Sequence, residues 1–166
     1  KDGYVVRLKQ WQENGTPRWD IGFMEGKVGV GGLPWKVEPW LEGGRVYHGL
    51  ATRWHENGQK MSELNFKDGL MHGLETTWRE SGQKTWERTL KDGEQDGLET
   101  AWYQNGQKKS EVICKDGKVM SAKVWKPNGE KCPVTNVKDG NGFFVFYNKD
   151  GTEEDRITFK DGELVD

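Results

Sequence analysis

Three short words recur in a fixed order along this chain: Gly-Leu-x-x-x-Trp, then Asn-Gly-Gln-Lys, then Lys-Asp-Gly. Gly49-Leu50 leads to Trp54, Asn57-Gly58-Gln59-Lys60 and Lys67-Asp68-Gly69. The order returns at Gly73-Leu74, Trp78, Ser81-Gly82-Gln83-Lys84 and Lys91-Asp92-Gly93, and again at Gly97-Leu98, Trp102, Asn105-Gly106-Gln107-Lys108 and Lys115-Asp116-Gly117. Lys-Asp-Gly closes at Gly69, Gly93, Gly117, Gly140 and Gly162, in steps of 24, 24, 23 and 22 residues. A fixed period of this length means one small structural unit copied in series. Such a unit cannot bury its own apolar face, so its neighbours must stack on it. The pattern points to a binding or scaffold surface rather than to an enzyme.

The repeats divide a single domain, 1–166, into copies at 49–69, 73–93, 97–117, 118–140 and 141–162. The fourth copy keeps Trp125, Asn128-Gly129 and Lys131; the fifth keeps Gly142, places Tyr147 in the tryptophan slot and turns at Asp150-Gly151. Residues 1–26 hold the tail of one copy, Lys1-Asp2-Gly3, and a first copy with Trp11, Asn14-Gly15 and Glu25-Gly26. Residues 27–48 fit the period badly and read as a degenerate copy or an inserted loop. The chain begins inside a repeat and without methionine, as a processed or trimmed product would.

Leu50–His55 and Lys60–Phe66 are the expected strands of one copy, with Asn57-Gly58 as a strong hairpin signal and Asp68-Gly69 as the next reversal. The fold class is therefore all-β: a meander of antiparallel hairpins. Glycine or proline interrupts almost every ten residues, which argues against helix. Two registers are open. A two-residue Asn-Gly turn pairs Trp54 with Met61. A three-residue turn with a glycine bulge pairs Trp54 with Lys60 and is expected to bring Ser62, Leu64 and Phe66 onto the face of Leu50, Thr52 and Trp54. The second collects the apolar residues on one side and is the expected register. It puts Arg53, His55, Glu63, Thr77, Arg79, Glu87, Ala101, Tyr103 and Glu111 on a wet opposite face. The expected core is Leu50, Trp54, Phe66, Leu74, Trp78, Leu90, Leu98, Trp102, Trp125 and Tyr147.

Composition narrows the function classes. Apolar content is 33%, low for a packed globule, and nine tryptophans must supply much of the burial. Net charge is -2 with both signs evenly mixed and no basic stripe, which argues against nucleic acid. No apolar run is long enough to span a bilayer. Cys114 and Cys132 fall on strands with another between them, roughly 10 Å apart at two strand spacings, beyond disulfide reach.

The segments GLETTWRESGQKTWERTLKDG (73–93) and GLETAWYQNGQKKSEVICKDG (97–117) resemble the bacterial variant of the MORN repeat. The resemblance covers about 120 of the 166 residues, breaks at 27–48 and weakens over 118–137. It implies a β-hairpin repeat sheet with stacked aromatic and leucine positions. Chains of such repeats are catalogued as candidate antitoxins of toxin–antitoxin systems, so the resemblance also implies an antitoxin-like role. It supplies no catalytic residues.

The residues offer little chemistry. His48 and His72 share one slot in successive copies, with Asp96 next. Equivalent positions lie two strands apart, roughly 10 Å, whereas a zinc ligand sits about 2 Å from its metal. Glu63, Glu87 and Glu111 are spaced the same way, too far apart for a carboxylate pair; they are expected to pair with lysines or arginines on adjacent strands. No catalytic residue, metal or cofactor is expected. Trp35 and Trp40, aromatic residues in a non-repeating segment, are the first candidates for recognition. Arg53, His55, Arg79 and Tyr103 on the wet face are the others. The leading expectation is a protein partner, occluded in the manner of an antitoxin; the compartment stays open between a bacterial cytoplasm and, if an upstream signal peptide was removed, an extracytoplasmic one. Two alternatives stand beside it: an extracytoplasmic structural or surface subunit that self-associates through its sheet edges, and a glycan binder using exposed tryptophans.

Overall fold

A computed structural model of the chain describes residues 5–24 and 46–165, and every structural statement below concerns these residues. Nine strands, β1 Val5–Trp11, β2 Pro17–Met24, β3 Val46–Trp54, β4 Lys60–Lys67, β5 Leu70–Trp78, β6 Lys84–Lys91, β7 Glu94–Trp102, β8 Lys108–Lys115 and β9 Lys118–Val124, form one antiparallel sheet in sequence order. A second sheet holds β10 Gly142–Tyr147, β11 Glu153–Lys160 and β12 Glu163–Val165. The expected all-β hairpin meander is what the chain forms. β2 pairs directly with β3, so the first copy and the Gly49 copy are neighbours in the sheet. Most of the irregular segment 27–48, with Trp35 and Trp40, lies outside the described residues.

The two kinds of turn follow from their residues. In each Lys-Asp-Gly turn both central residues have positive φ: Asp92 sits at 52° and Gly93 at 94°. That is the type I′ geometry matched to the twist of paired strands, and aspartate and glycine tolerate it. At Asn57-Gly58 only the glycine is left-handed, at 83°. Gly58 N–H donates to the His55 carbonyl and His55 N–H to the Gln59 carbonyl, closing a three-residue loop. The Asn57 side chain accepts the Gln59 N–H at 3.0 Å, an Asx turn that holds Asn57 out of the left-handed region.

Trp54 pairs with Lys60, as the three-residue turn requires, but the faces differ from expectation. A further bulge follows at once, with Met61 as the extra residue, so Arg53 pairs with Ser62 and Ala51 with Leu64. One extra residue reverses the face of everything beyond it. Ser62, Leu64 and Phe66 therefore lie with Ala51 and Arg53, not with Leu50 and Thr52. The same bulge recurs after Pro17, Lys84, Lys108 and Glu153, so each of these full hairpins makes the same correction.

Two rows then cross the sheet on one face. The first runs Ile21, Ala51, Leu64, Glu75, Arg88, Glu99, Val112 and Ala122. The second runs Trp19, Arg53, Ser62, Thr77, Trp86, Ala101, Ser110 and Val124. The opposite face alternates Thr52, Glu63, Thr76, Glu87, Thr100 and Glu111. Of the residues expected in the core, Phe66, Leu90 and Tyr147 are buried. Leu50, Trp54, Trp78, Trp102 and Trp125 are half-buried. Leu74 and Leu98 are exposed, at 49% and 47%, because the bulge places them on the Thr–Glu face.

The buried residues form two clusters on the Leu64 face. One, toward the β1 end, contains Ile21, Tyr47, Leu64, Phe66, Met71 and Leu90. The other joins Ala122 and Val124 of β9 to Cys132, Val137, Phe144, Val145 and Tyr147, so the three-stranded sheet caps the end of the long one. The outer edge of β9 is closed by backbone hydrogen bonds: Val119 N–H to Gly162, Ala122 N–H to Val137, Gly140 N–H to Met120 and Cys132 N–H to Val124. No such bonds from the cap reach β1.

Candidate functional site

Three of the four wet-face residues proposed for recognition, His55, Arg79 and Tyr103, join one copy to the next. Gln12 donates to the His55 carbonyl, His55 Nε2–H to Trp78, Arg79 to Trp102 and the Tyr103 hydroxyl to Trp125, at 3.1, 2.8, 3.4 and 2.8 Å. The Asn-Gly asparagines do the same: Asn14 to Glu56, Asn57 to Glu80 and Asn105 to Pro127. The lysine that ends each Asn-Gly-Gln-Lys word lies over the aromatic ring of the following copy. Lys60 covers Trp78, Lys84 covers Trp102 and Lys108 covers Trp125, at 6.0, 5.8 and 5.1 Å. The same lysines bond Glu63, Glu87 and Glu111 three residues on in their own strands, not across strands as expected. His55, Arg79 and Tyr103 are thus engaged within the array.

The histidine column has a structural account too. His48 Nδ1 accepts the Asp68 N–H, His72 Nδ1 accepts that of Asp92, and the Asp96 carboxylate accepts that of Asp116. Each cap serves the backbone of a Lys-Asp-Gly turn twenty residues on. Among the described residues, no cluster of three or more His, Cys, Asp or Glu could hold a metal.

Arg53 differs from the other candidates. It lies at a cleft of about 300 Å³ on the Leu64 face, at the low end of ligand-pocket size. Its apolar walls are Ile21, Tyr47, Leu64, Phe66, Trp78 and Trp86. Ser62, Thr77 and Glu75 add polar groups. Pairing across β2–β6 puts these residues side by side. The Arg53 side chain is exposed and has no hydrogen-bond or ion-pair partner among the described residues. Its charge still reaches inward: burial raises the Tyr47 hydroxyl pKa, and Arg53 opposes the rise.

Glu75, the acidic residue of the lining, is paired with Arg88 beside the cleft. Arg88 Nε donates to Glu75 at 2.9 Å, and the guanidinium lies 4.6 Å from the centre of the Trp86 ring. Burial pushes the Glu75 carboxyl above its ordinary value of 4.5; Arg88 opposes the rise by charge and hydrogen bond, and Glu99 adds to it. A carboxyl that binds its proton more tightly folded than unfolded contributes stability below the unfolded value, and that contribution is lost as pH rises through the folded value. Glu75→Gln is expected to flatten the stability–pH curve just above 4.5, as read by urea unfolding through that range.

The cysteines are free, buried and differently tuned. Burial raises the Cys114 thiol to about 11. Burial also raises Cys132, but donors outweigh it and hold the thiol below its ordinary value: the Thr135 hydroxyl, the Tyr147 hydroxyl, and the backbone N–H groups of Thr135 and Val134. These contacts lie inside the cap.

Stitched hairpins in one sequence-ordered antiparallel sheet define a β-hairpin repeat protein. A family model described as the MORN repeat variant matches residues 47–68 and 95–114. These segments begin in equivalent slots two periods apart, and the copy between them carries the same words. No curated protein and no solved structure matches the chain. The cleft itself escaped the sequence reading. Tyr47, Ile21 and Trp86 lie outside the recurring words, and only the bulged register brings them beside Arg53.

Proposed function

We propose that the chain is a non-catalytic protein-binding repeat module that receives its partner at the Arg53 cleft. The observation that carries this is an apolar cleft, large enough for one or two side chains, beside an unpaired cation. The row that runs through Ser62, Thr77 and Trp86 of the cleft continues to Ala101 and extends a docking surface along the same face. In an antitoxin-like role, the partner would be a toxin protein whose working surface the module covers. The test is a pull-down from the native lysate read by mass spectrometry. Wild type is expected to recover one stoichiometric protein, and Arg53→Glu to recover it at least about tenfold less. Equal recovery by both would remove the cleft from the interaction, and the identity of the protein would decide the antitoxin role.

The β1 edge supports a second reading, self-association. Trp11 is 59% exposed there, while Trp54, Trp78, Trp102 and Trp125 are half-buried. Among the described residues only β2 pairs with β1, and an open strand edge can pair with another chain. With β9 closed by the cap, this edge favours pairs of chains over open filaments. A concentration-dependent mass in sedimentation that Trp11→Lys abolishes would support it; a monomer at all concentrations would discard it.

A further inference from the structure

We propose that the cleft selects a partner segment in which an aspartate or glutamate lies beside a bulky apolar residue. This rests on the protein-binding reading and names the chemistry of the bound segment.

Three observations lead to it. The walls are apolar and aromatic, with Phe66, Trp78 and Trp86 among the lining, so a large apolar side chain gains by leaving water there. The cleft's charges do not cancel. Glu75 is neutralised by Arg88, and the remaining lining charge is the unpaired Arg53 guanidinium. A guanidinium offers a planar fork of donors that fits a carboxylate at two points. Finally, Arg53 is exposed while Ile21, Tyr47, Leu64 and Phe66 of the walls are buried, so an anchor can enter while its acidic neighbour stays at the rim. A basic segment would set like charge against Arg53, which excludes wrong partners as effectively as the attraction selects right ones.

The experiment pans a random linear peptide library, displayed on phage, on wild type and on Arg53→Glu in parallel. Arg53 is exposed, and circular dichroism confirms the variant's fold. Wild type is expected to enrich sequences with Asp or Glu within a few positions of Leu, Phe or Trp. Arg53→Glu is expected to bind those peptides about tenfold more weakly and to enrich lysine or arginine in the acidic position. A peptide with that acid changed to lysine should then prefer the variant. Peptide enrichment without acidic bias, or acidic bias unchanged by Arg53→Glu, overturns the proposed chemistry and leaves protein binding standing. No enrichment, together with a tryptophan emission shift on a neutral glycan panel, overturns the protein-binding reading as well. Binding that appears only after Trp35→Ala and Trp40→Ala would assign the cleft to the chain's own segment and overturn the partner.

Discussion

Leu90→Ala is expected to destabilise the fold by about 2–5 kcal/mol, and Leu74→Ala by less than about 1 kcal/mol. The two leucines belong to one hairpin and sit one rung apart, Leu74 opposite Thr89 and Gly73 opposite Leu90. Sequence alone gives no reason to separate them. The bulge at Thr85 does: it turns Leu90 inward with Phe66 and Met71, where it is 3% exposed, and leaves Leu74 outward at 49%. Removing Leu90 leaves a cavity among close-packed side chains, whereas removing Leu74 returns a half-wet surface to water. Urea unfolding of both variants measures the difference. Equal losses would mean that the two faces have been exchanged.

The second large effect is expected at the junction between the sheets. Gly162 has φ of 81°, and a Cβ there would lie 2.7 Å from Lys118 Cβ and 3.0 Å from the Val119 carbonyl oxygen. Its own carbonyl accepts the Val119 N–H, and its N–H donates to Gly140. Gly162→Ala combines a left-handed backbone, costing about 1–2 kcal/mol, with overpacking against backbone, costing about 1–3 kcal/mol. A loss of about 2–5 kcal/mol follows, together with faster amide exchange in β10–β12. Gly151→Ala is the control. Its φ is 85°, but nothing lies within 4 Å of the added carbon, so only the conformational cost of about 1–2 kcal/mol applies. Similar losses at both positions would show that the junction is looser than its contacts imply.

The legible and illegible parts of this fold separate by physical cause. The Lys-Asp-Gly turns were open to reading because two successive left-handed residues demand such chemistry. The meander followed from the period. The extra residue of each hairpin was not legible: Met61, Thr85 and Lys109 share no property that marks a bulge. Yet that residue decides which face of the preceding strand is buried, so the expected face is inverted for the first strand of each copy, from Leu50 to Leu98, and kept for the second, where Leu64, Phe66 and Leu90 are buried. The copy at 118–140 departs for a more visible reason. Pro133 lacks an N–H for a ladder, and after the Asn128-Gly129 turn only a single bridge, Trp125 to Lys131, remains. The chain then crosses to the cap instead of forming another full hairpin. Among the candidate site residues, Arg53 lies at the cleft, while His55, Arg79 and Tyr103 each bond a carbonyl of a neighbouring copy. Side chains that bond a carbonyl some twenty residues away look, in sequence, the same as side chains left free.

The cleft lies within β2–β6 and the cap rests on β8 and β9, with the β6–β7 turn at Asp92-Gly93 between them. Each copy contributes two strands, about 10 Å of sheet width, and carries its own bonds to the next. Another 24-residue copy inserted after Gly93 would therefore lengthen the molecule by one fixed step and leave both ends as they are. The array acts as a ruler: copy number sets, in quanta of one hairpin, how far the Arg53 cleft stands from the capped end.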